Sequence, residues 1–316
     1  MDIAIETTGL QKRFPKMAQP AVHDLDLTIY PGQLFGLVGP DGAGKTTTLR
    51  MLASVMKPDA GSARVAGYDV VKEAESIRNL IGYMPQNFSL YPDLSVQENL
   101  DFFADIHHMP AEQKRARITE MLAFTQLEPF RQRRAGNLSG GMKKKLALSC
   151  ALVHAPQILM LDEPSTGVDP VSRRELWTIL TEVVQQGVTI ILSTPYMDEA
   201  ERCHQVGMLY DGSLLTSGSP EEMSASLPFA IIEVKARPRK AMRRIVAETA
   251  GIAGWRPVGD RLRLAVPNEN GQVKGVLQAL NHKFAGEALV VDFTRMERPG
   301  MEDVFVHLVS QRRNNP

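Results

Sequence analysis

The sequence contains 316 residues, of which 43% are hydrophobic and 23% charged, and its 36 basic and 36 acidic side chains balance. This length allows one large domain and a small one, and the composition is that of a soluble globular protein. No apolar run approaches the roughly 18 residues of a membrane span, the N-terminus lacks the features of a signal peptide, and the two separated cysteines indicate neither a disulfide framework nor a metal site. We therefore expect a cytoplasmic chain.

The N-terminal region predicts strands around a glycine-rich loop. Residues 3–29 read as antiparallel strands separated by turn signals. An apolar strand follows at 34–38, and the glycine-rich loop and a helix come directly after it. Further strands are predicted at 63–67 and 81–84, on either side of a short helical stretch.

A helical stretch then interrupts the strands. Apolar residues recur at helical spacing from 95 to 155, and we place a helical subdomain at about residues 87–155. Strands at 157–161 and 188–193 flank a predicted helix at 172–185. Continuous apolar strands that alternate with helices are typical of a parallel sheet covered by helices, so the first 228 residues predict an α/β domain.

The character of the sequence changes after residue 228. Strand, helix, two strands, helix and strand follow one another between 230 and 293, which is the ferredoxin-like α+β plan, and an amphipathic helix closes the chain. We therefore place two domains at 1–228 and 229–316. From residue 230 onward the chain has 15 basic and 9 acidic residues. A solvated face accounts for this excess, and attraction of an anionic partner is the alternative.

The chain is organised around a loop of the form G-x-x-x-x-G-K-[ST] between an apolar strand and a helix. Its glycines let backbone N–H groups and the positive end of the helix surround an anion. Lys45 is expected to reach the β- and γ-phosphates of a nucleotide, and Thr46 to place its hydroxyl on a magnesium ion. An ordinary glycine-rich turn is the alternative. The predicted nucleotide-binding residues of this loop are Gly39, Pro40, Asp41, Gly42, Ala43, Gly44, Lys45, Thr46 and Thr47.

Two carboxylates follow the apolar strand at 158–161. Ligands of open α/β sheets bind at the carboxyl ends of the strands, where Asp162 and Glu163 are expected to lie. Asp162 is predicted to hold magnesium through water or Thr46, and Glu163 to act as the general base toward the attacking water. Such a pair could instead cap a helix, but its position downstream of the phosphate loop favours catalysis.

A third motif lies between these two, just before a predicted helix. Its residues are Leu138, Ser139, Gly140, Gly141 and Met142. A serine, two glycines and a helix N-terminus form a second phosphate cradle, although such a sequence alone is more often a helix N-cap. Between the phosphate loop and the carboxylates, this motif resembles the signature sequence of ABC ATPases, and the resemblance covers residues 3 to about 220.

The resemblance implies a P-loop NTPase fold of the ABC type. This fold has a parallel-sheet core, an antiparallel β-subdomain and a helical subdomain, here followed by the small ferredoxin-like domain. In ABC proteins the signature grips the γ-phosphate of ATP bound to the opposing subunit. A head-to-tail dimer with nucleotide at its interface is therefore expected.

Three further positions resemble functional residues of the family. Gln86 resembles the loop glutamine that senses magnesium and contacts the membrane partner, so the resemblance adds it to the catalytic and metal-binding residues. Phe14 resembles the aromatic residue that stacks on adenine, with core packing as the alternative. Asp169 resembles the aspartate that couples the two sites across the dimer.

Two positions depart from the family pattern. Family members usually have a histidine that contacts the γ-phosphate where this chain has Pro195. Proline has no titratable group and no backbone N–H. The position of the usual histidine, called the switch position, is therefore degenerate in this chain, and slow hydrolysis of ATP is expected. Met142 replaces the usual glutamine of the signature. The lysines at 143–145 are expected to be solvated on the first turns of the following helix.

The C-terminal extension resembles that of the bacterial multidrug-efflux branch, and the lost histidine resembles the first half of tandem-fused members. ATP and Mg²⁺ are the expected cofactors. Integral membrane permease subunits and a second ABC ATPase, either a copy or a different chain, are the expected partners, and no specific nucleic acid is expected. We expect a peripheral protein on the inner face of the cell membrane that drives export of a small, hydrophobic or drug-like solute. The alternatives are a soluble or ribosome-associated ABC ATPase and a catalytically weak regulatory ATP-binding subunit.

Overall fold

The computed structural model describes residues 3–15, 17–87, 90–268, 271–287 and 289–314. The chain forms two compact units, Met1–Ser219 and Pro220–Pro316. The boundary between the units lies before the predicted boundary at residues 228 and 229, because the short helix Pro220–Ala225 packs against the last helix of the chain.

The elements of the first unit alternate between strands and helices. Its described strands are β1 (Ile5–Lys12), β2 (Val22–Ile29), β3 (Leu34–Val38), β4 (Ala60–Val65), β5 (Tyr68–Asp69), β6 (Ile81–Met84), β7 (Ile158–Asp162), β8 (Thr189–Thr194), β9 (Gln205–Tyr210) and β10 (Ser213–Gly218). Its described α-helices are α1 (Lys45–Leu52), α2 (Ala74–Leu80), α3 (Val96–Ile106), α4 (Ala111–Phe124), α5 (Gly140–Leu152), α6 (Pro170–Gln185) and α7 (Met197–Ala200).

The central sheet has the strand order β10-β9-β3-β8-β7-β6 among the described residues, and every neighbouring pair except β9–β10 is parallel. Strands β3, β7 and β8 are buried along their whole length, as their continuous apolar runs predict. The register pairs Val38 with Thr194 and Asp162 with Ser193. The carboxyl ends of β3, β7 and β8 therefore meet at one edge, which confirms the predicted α/β fold and gathers the candidate site residues there.

The antiparallel and helical parts flank this sheet. Strands β2, β1, β4 and β5 form the antiparallel sheet in that order, as the pattern of residues 3–29 predicts. Helices α3, α4 and α5 share a separate apolar core that includes Leu100, Leu122 and Leu146. Helix α3 begins at a capping box, in which Ser95 accepts a hydrogen bond from the Glu98 N–H and the Glu98 carboxylate accepts one from the Ser95 N–H.

The second unit is a ferredoxin-like α+β domain. Its described elements are α8 (Pro220–Ala225), β11 (Phe229–Arg237), α9 (Arg239–Ala247), β12 (Gly254–Val258), β13 (Arg261–Pro267), α10 (Gln272–Gly286), β14 (Val290–Glu297) and α11 (Met301–Asn314). The antiparallel sheet has the order β12-β13-β11-β14, and α9 and α10 pack their apolar sides on it. Across both units, no described helix combines the length and apolar composition needed to cross a bilayer.

Candidate active site

The phosphate loop connects β3 to α1 and depends on glycine at several positions. Gly42 and Gly44 have φ of 81° and 100°, the left-handed region that favours glycine. A Cβ on Gly39 would lie 2.2 Å from the carbonyl oxygen of Leu209, and one on Gly44 would lie 2.4 Å from that of Ala21. The loop therefore lies against neighbouring backbone at Gly39 and Gly44, where a larger residue would require β9 or the residue before β2 to move.

Lys45 is the first residue of α1, and its side chain extends back over the phosphate loop. Its Nζ donates hydrogen bonds to the carbonyls of Gly39 (2.8 Å) and Pro40 (3.0 Å) and lies 3.8 Å from Oε1 of Glu163. Burial lowers the pKa of Lys45, and the nearby carboxylate of Glu163 opposes that shift. The N-cap of α1 is Gly44, which has no side chain. The first N–H groups of α1 therefore receive no hydrogen bond from an N-cap side chain. A buried cation and uncapped N–H groups make this loop suited to an anionic phosphate.

Asp162 lies at the end of β7 and accepts two hydroxyl hydrogen bonds on one oxygen. Thr46 donates to Oδ1 at 2.9 Å and Ser193 donates to the same atom at 2.7 Å. The other oxygen, Oδ2, is buried and has no hydrogen-bond partner among the described residues. A buried carboxylate with a free oxygen beside a threonine hydroxyl fits Mg²⁺, which prefers oxygen ligands and is usually shared with substrate phosphates. No group of three or more His, Cys, Asp or Glu residues that could bind a metal by themselves occurs among the described residues.

Hydrogen bonds fix both the backbone and the side chain of Glu163. Its φ is 48°, and its N–H is bonded to the carbonyl (3.2 Å) and hydroxyl (3.0 Å) of Ser193. Its Oε2 accepts hydrogen bonds from Gln86 Nε2 (2.8 Å) and Thr166 Oγ1 (3.1 Å). Left-handed backbone in a non-glycine residue persists only where the surroundings fix it. The predicted pair of Gln86 and Glu163 is therefore in direct contact, although Gln86 comes from the loop after β6.

Three residues of this cluster were not predicted from the sequence: Thr166, Ser193 and Lys144. Lys144 of α5 donates hydrogen bonds from Nζ to the carbonyl oxygens of Gln86 (3.0 Å) and Glu163 (3.4 Å). Burial lowers its pKa. For Ser193 a signal was available, since it ends a buried strand at the same sheet edge as Asp162.

The expectation of three solvated lysines at 143–145 is wrong for Lys145. This side chain is buried and forms an ion pair of 2.7 Å with Glu175 of α6. The reason is that α5 packs against both α3 and α6, so most of its circumference is covered. Lysine spacing alone did not predict this burial.

The signature motif forms the start of α5. Ser139 is the N-cap, and its hydroxyl accepts a hydrogen bond from the N–H of Met142 at 3.3 Å. Leu138 is buried and anchors the segment, whereas Ser139 and Gly140 are exposed. The exposed end of this helix is available to an external anion.

Asp169 lies at the start of α6, and Pro195 lies directly after the end of β8. Asp169 is the N-cap of α6 and accepts hydrogen bonds from the N–H groups of Val171 and Ser172, both at 3.0 Å. The hydrogen bond from the Ser172 side chain is the largest of the effects that lower the pKa of Asp169. Pro195 follows β8 at the site edge and is half-buried. The roles implied for both by resemblance stay predictions.

The remaining predicted residues lie around the loop. Asp41 is exposed at its tip, and Thr46 and Thr47 are half-buried in the first turn of α1. Phe14 follows β1 and is half-buried, and its carbonyl accepts a hydrogen bond from the Met17 N–H at 3.0 Å. Its stacking on a base stays a prediction.

Comparison with known proteins places this geometry in a family. The family model described as ABC transporter matches residues 22–166, which contain the phosphate loop, the signature and both carboxylates. The daunorubicin resistance ATP-binding protein DrrA3 of Streptomyces coeruleorubidus is 34% identical over 315 residues, which are 99% of this chain and 98% of that protein. The chain belongs to the ABC transporter family.

Other members of the ABC family resemble parts of the chain. The probable multidrug ABC transporter ATP-binding protein YbhF of Escherichia coli K12 is 50% identical over 226 residues, which are 72% of this chain. The chain spans only 39% of the length of that relative. A solved structure of the ATP binding subunit of an ABC transporter is 27% identical, with a TM-score of 0.64 over 70% of this chain and 92% of that chain. The structural match confirms the ABC ATPase fold.

Proposed function

We propose that this chain is the ATP-binding and ATP-hydrolysing subunit of an ABC exporter for a small, hydrophobic or drug-like solute. The observation that carries the proposal is the convergence of Lys45, Thr46, Asp162 and Glu163 at one sheet edge. Relatives named for multidrug transport and daunorubicin resistance support the solute class.

Binding begins at the phosphate loop. The Lys45 ammonium leaves the carbonyls of Gly39 and Pro40 for the β- and γ-phosphates, while the uncapped N–H groups of α1 hold the remaining oxygens. Thr46 and Asp162 are the residues that hold magnesium, with Gln86 as a further oxygen ligand. When bound, Mg²⁺ neutralises charge that develops on the phosphate oxygens. Phe14 stacks on the adenine.

Hydrolysis requires Glu163 to change partners. Its carboxylate accepts hydrogen bonds from Gln86 and Thr166 and lies near Lys45. Once Lys45 turns to the phosphates and Gln86 releases the carboxylate, Glu163 accepts the proton of a water that attacks the γ-phosphorus, and ADP leaves with the electron pair of the broken bond. Pro195 supplies no donor to the γ-phosphate, so this step is slow at the chain's own site.

A second ATPase subunit completes each site. The start of α5, where Ser139 and Gly140 are exposed and Gly141 is buried behind them, binds the γ-phosphate of ATP held by the opposing subunit, and Asp169 couples the two sites across the interface. The partner is a copy of this chain or a second, intact ATPase. ATP binding closes this dimer and hydrolysis opens it.

The motion of the dimer is passed to separate integral membrane permease subunits. The proposed contact is the surface from Gln86 to Phe103, of which residues 88 and 89 lie outside the described residues. It contains both the residue that senses the nucleotide and the start of the helical part. In this arrangement the chain is a peripheral protein on the inner face of the cell membrane.

Magnesium-dependent ATP turnover over a range of protein concentrations tests the proposal. We expect turnover that rises faster than linearly with concentration, because two subunits complete each site. Glu163→Gln should abolish turnover and retain ATP binding, whereas Glu182→Gln, an exposed change on α6, should alter neither. Tight binding with wild-type turnover no higher than that of Glu163→Gln would instead mean that this site is degenerate and that an intact partner ATPase is required. Absence of ATP binding would contradict the proposal altogether.

A further inference from the structure

Lys144 is the residue through which α5 reaches the catalytic cluster. It lies five positions after Ser139, the N-cap of α5, and its ammonium bonds to two backbone carbonyls outside the helix. One carbonyl belongs to Gln86 and the other to Glu163, the two residues whose side chains are already bonded to each other. Lys144 therefore closes a ring of three hydrogen-bonded residues from three separate segments of the chain.

The ring holds Glu163 in an unfavourable backbone conformation. At φ 48° this glutamate depends on its surroundings: Ser193 accepts a hydrogen bond from its N–H, and its carbonyl accepts hydrogen bonds from Lys144 Nζ and from the Thr166 N–H. Lys144 is half-buried, and hydrogen bonds from a charged donor to carbonyls contribute more than neutral ones. The ammonium thus acts on the position of Glu163 as well as on that of the Gln86 loop.

The other end of the same helix faces outward. Ser139 and Gly140 are exposed at the start of α5, while the middle of the helix is fixed to α6 by the ion pair between Lys145 and Glu175. A helix rises about 1.5 Å per residue, so the N-cap and Lys144 are only about 7.5 Å apart along the axis. Lys144 therefore connects the exposed start of α5 to the two carbonyls over a short distance.

We infer that Lys144 is a positioning residue that couples occupation of the signature end of α5 to the geometry of Gln86 and Glu163 in the same chain. The inference rests on the proposed function, in which the signature binds the nucleotide of the opposing subunit. Each chain then senses the partner's site at Ser139 and reports it to its own Glu163 through Lys144. Lys144 is thus a second link between the two sites of the dimer, in addition to Asp169.

The tether itself is tested without nucleotide, by hydrogen–deuterium exchange of the full-length chain. Lys144→Met removes the ammonium and keeps much of the apolar stem, so exchange should rise in residues 83–87. Lys144→Arg, which retains donors for both carbonyls, should restore slow exchange there. Lys145→Met is the matched control, because it removes a lysine and an ion pair from the same helix without touching Gln86 or Glu163. If Lys144→Met does not fold, Lys144→Gln takes its place.

The coupling is tested by steady-state kinetics on the same variants. For Lys144→Met we expect kcat about tenfold lower, since a hydrogen bond from a charged donor carries enough free energy for that factor. The KM for ATP should stay within about twofold, and the Hill coefficient for ATP should fall toward one. Lys144→Arg should recover most of kcat and of the cooperativity.

Each outcome counts for or against the inference. Unchanged exchange at 83–87 in Lys144→Met, or an equal rise in Lys145→Met, would overturn the tether. Faster exchange with unchanged kcat and Hill coefficient would overturn the coupling. If the wild-type chain alone shows no turnover, its own site is degenerate and requires an intact partner ATPase, and the exchange experiment alone decides whether Lys144 holds the loop.

Discussion

The buried side chain of Asp162 is expected to lower the stability of the protein and at the same time to suit a bound Mg²⁺ ion. Its Oδ1 accepts hydrogen bonds from Thr46 and Ser193, but its buried Oδ2 has no partner among the described residues. A buried charge with an unsatisfied oxygen costs free energy until a cation arrives. We therefore propose that this carboxylate favours binding of Mg²⁺ at the expense of stability.

Asp162→Asn should separate these two effects. Without nucleotide we expect the variant to unfold about 2–4 °C above wild type, the shift that about 1 kcal/mol produces in a domain of this size. Mg²⁺ and ATP together should no longer raise its unfolding temperature as they do for wild type, and turnover should fall at least about a hundredfold. Thermal unfolding with and without MgATP, with an EDTA arm, measures both.

Asp105→Asn is the control for this change, because that carboxylate is exposed and bonded to Lys114 on the helical part. It should leave the magnesium effect intact. An Asp162→Asn chain that is less stable than wild type without nucleotide would show that the buried carboxylate stabilises the empty site, contrary to our expectation.

At the scale of elements, the position of the signature depends on how closely α5 approaches α6. A Cβ on Gly141 would lie 2.3 Å from Oγ and 2.5 Å from Cβ of Ser172, whereas one on Gly140 would meet nothing nearer than 3.5 Å. Adjacent glycines of one motif thus have different physical reasons to be glycine. Gly141 is required by helix packing, and Gly140 is available to approach a phosphate.

Gly141→Ala should therefore lower the free energy of unfolding by about 1–3 kcal/mol, the cost of inserting a methyl group into a packed contact. Gly140→Ala should change it by less than about 1 kcal/mol. Chemical denaturation of the two variants measures the difference. The double variant Gly141→Ala with Ser172→Gly should recover stability, and equal losses in both single variants would refute the packing explanation.

The elements also show what could be predicted from the sequence. Strands β3, β7 and β8 were predictable because buried parallel strands have continuous apolar runs, and the phosphate loop because its glycines, lysine and threonine stand at fixed spacing. Ser193 and Lys144 were missed because their contacts depend on the register of β7 with β8 and on the burial of α5. Tertiary packing decides such contacts, and spacing along one segment does not report them.

At the scale of the whole molecule, the candidate active site lies within one of the two compact units. The phosphate loop, the signature and both carboxylates lie between residues 39 and 163, and the first unit ends at Ser219. Each unit has its own apolar core among the described residues, built around β3 and the antiparallel sheet in the first and around β11 and β13 in the second. A unit with its own core and all of its site residues can fold and bind alone.

A fragment of residues 1–219 should therefore fold cooperatively and bind MgATP with a Kd within about twofold of the full chain, since no site residue is lost. Titration calorimetry on both proteins gives this comparison, and Lys45→Ala in the fragment is the control that should abolish binding, because that lysine is the cation directed at the phosphates.

A second fragment of residues 1–228 places the boundary where the sequence predicts it. If only the longer fragment folds, α8 belongs with the first unit. If neither binds MgATP while the full chain does, the second unit is required for the nucleotide site, and the independence inferred from the separate cores is wrong.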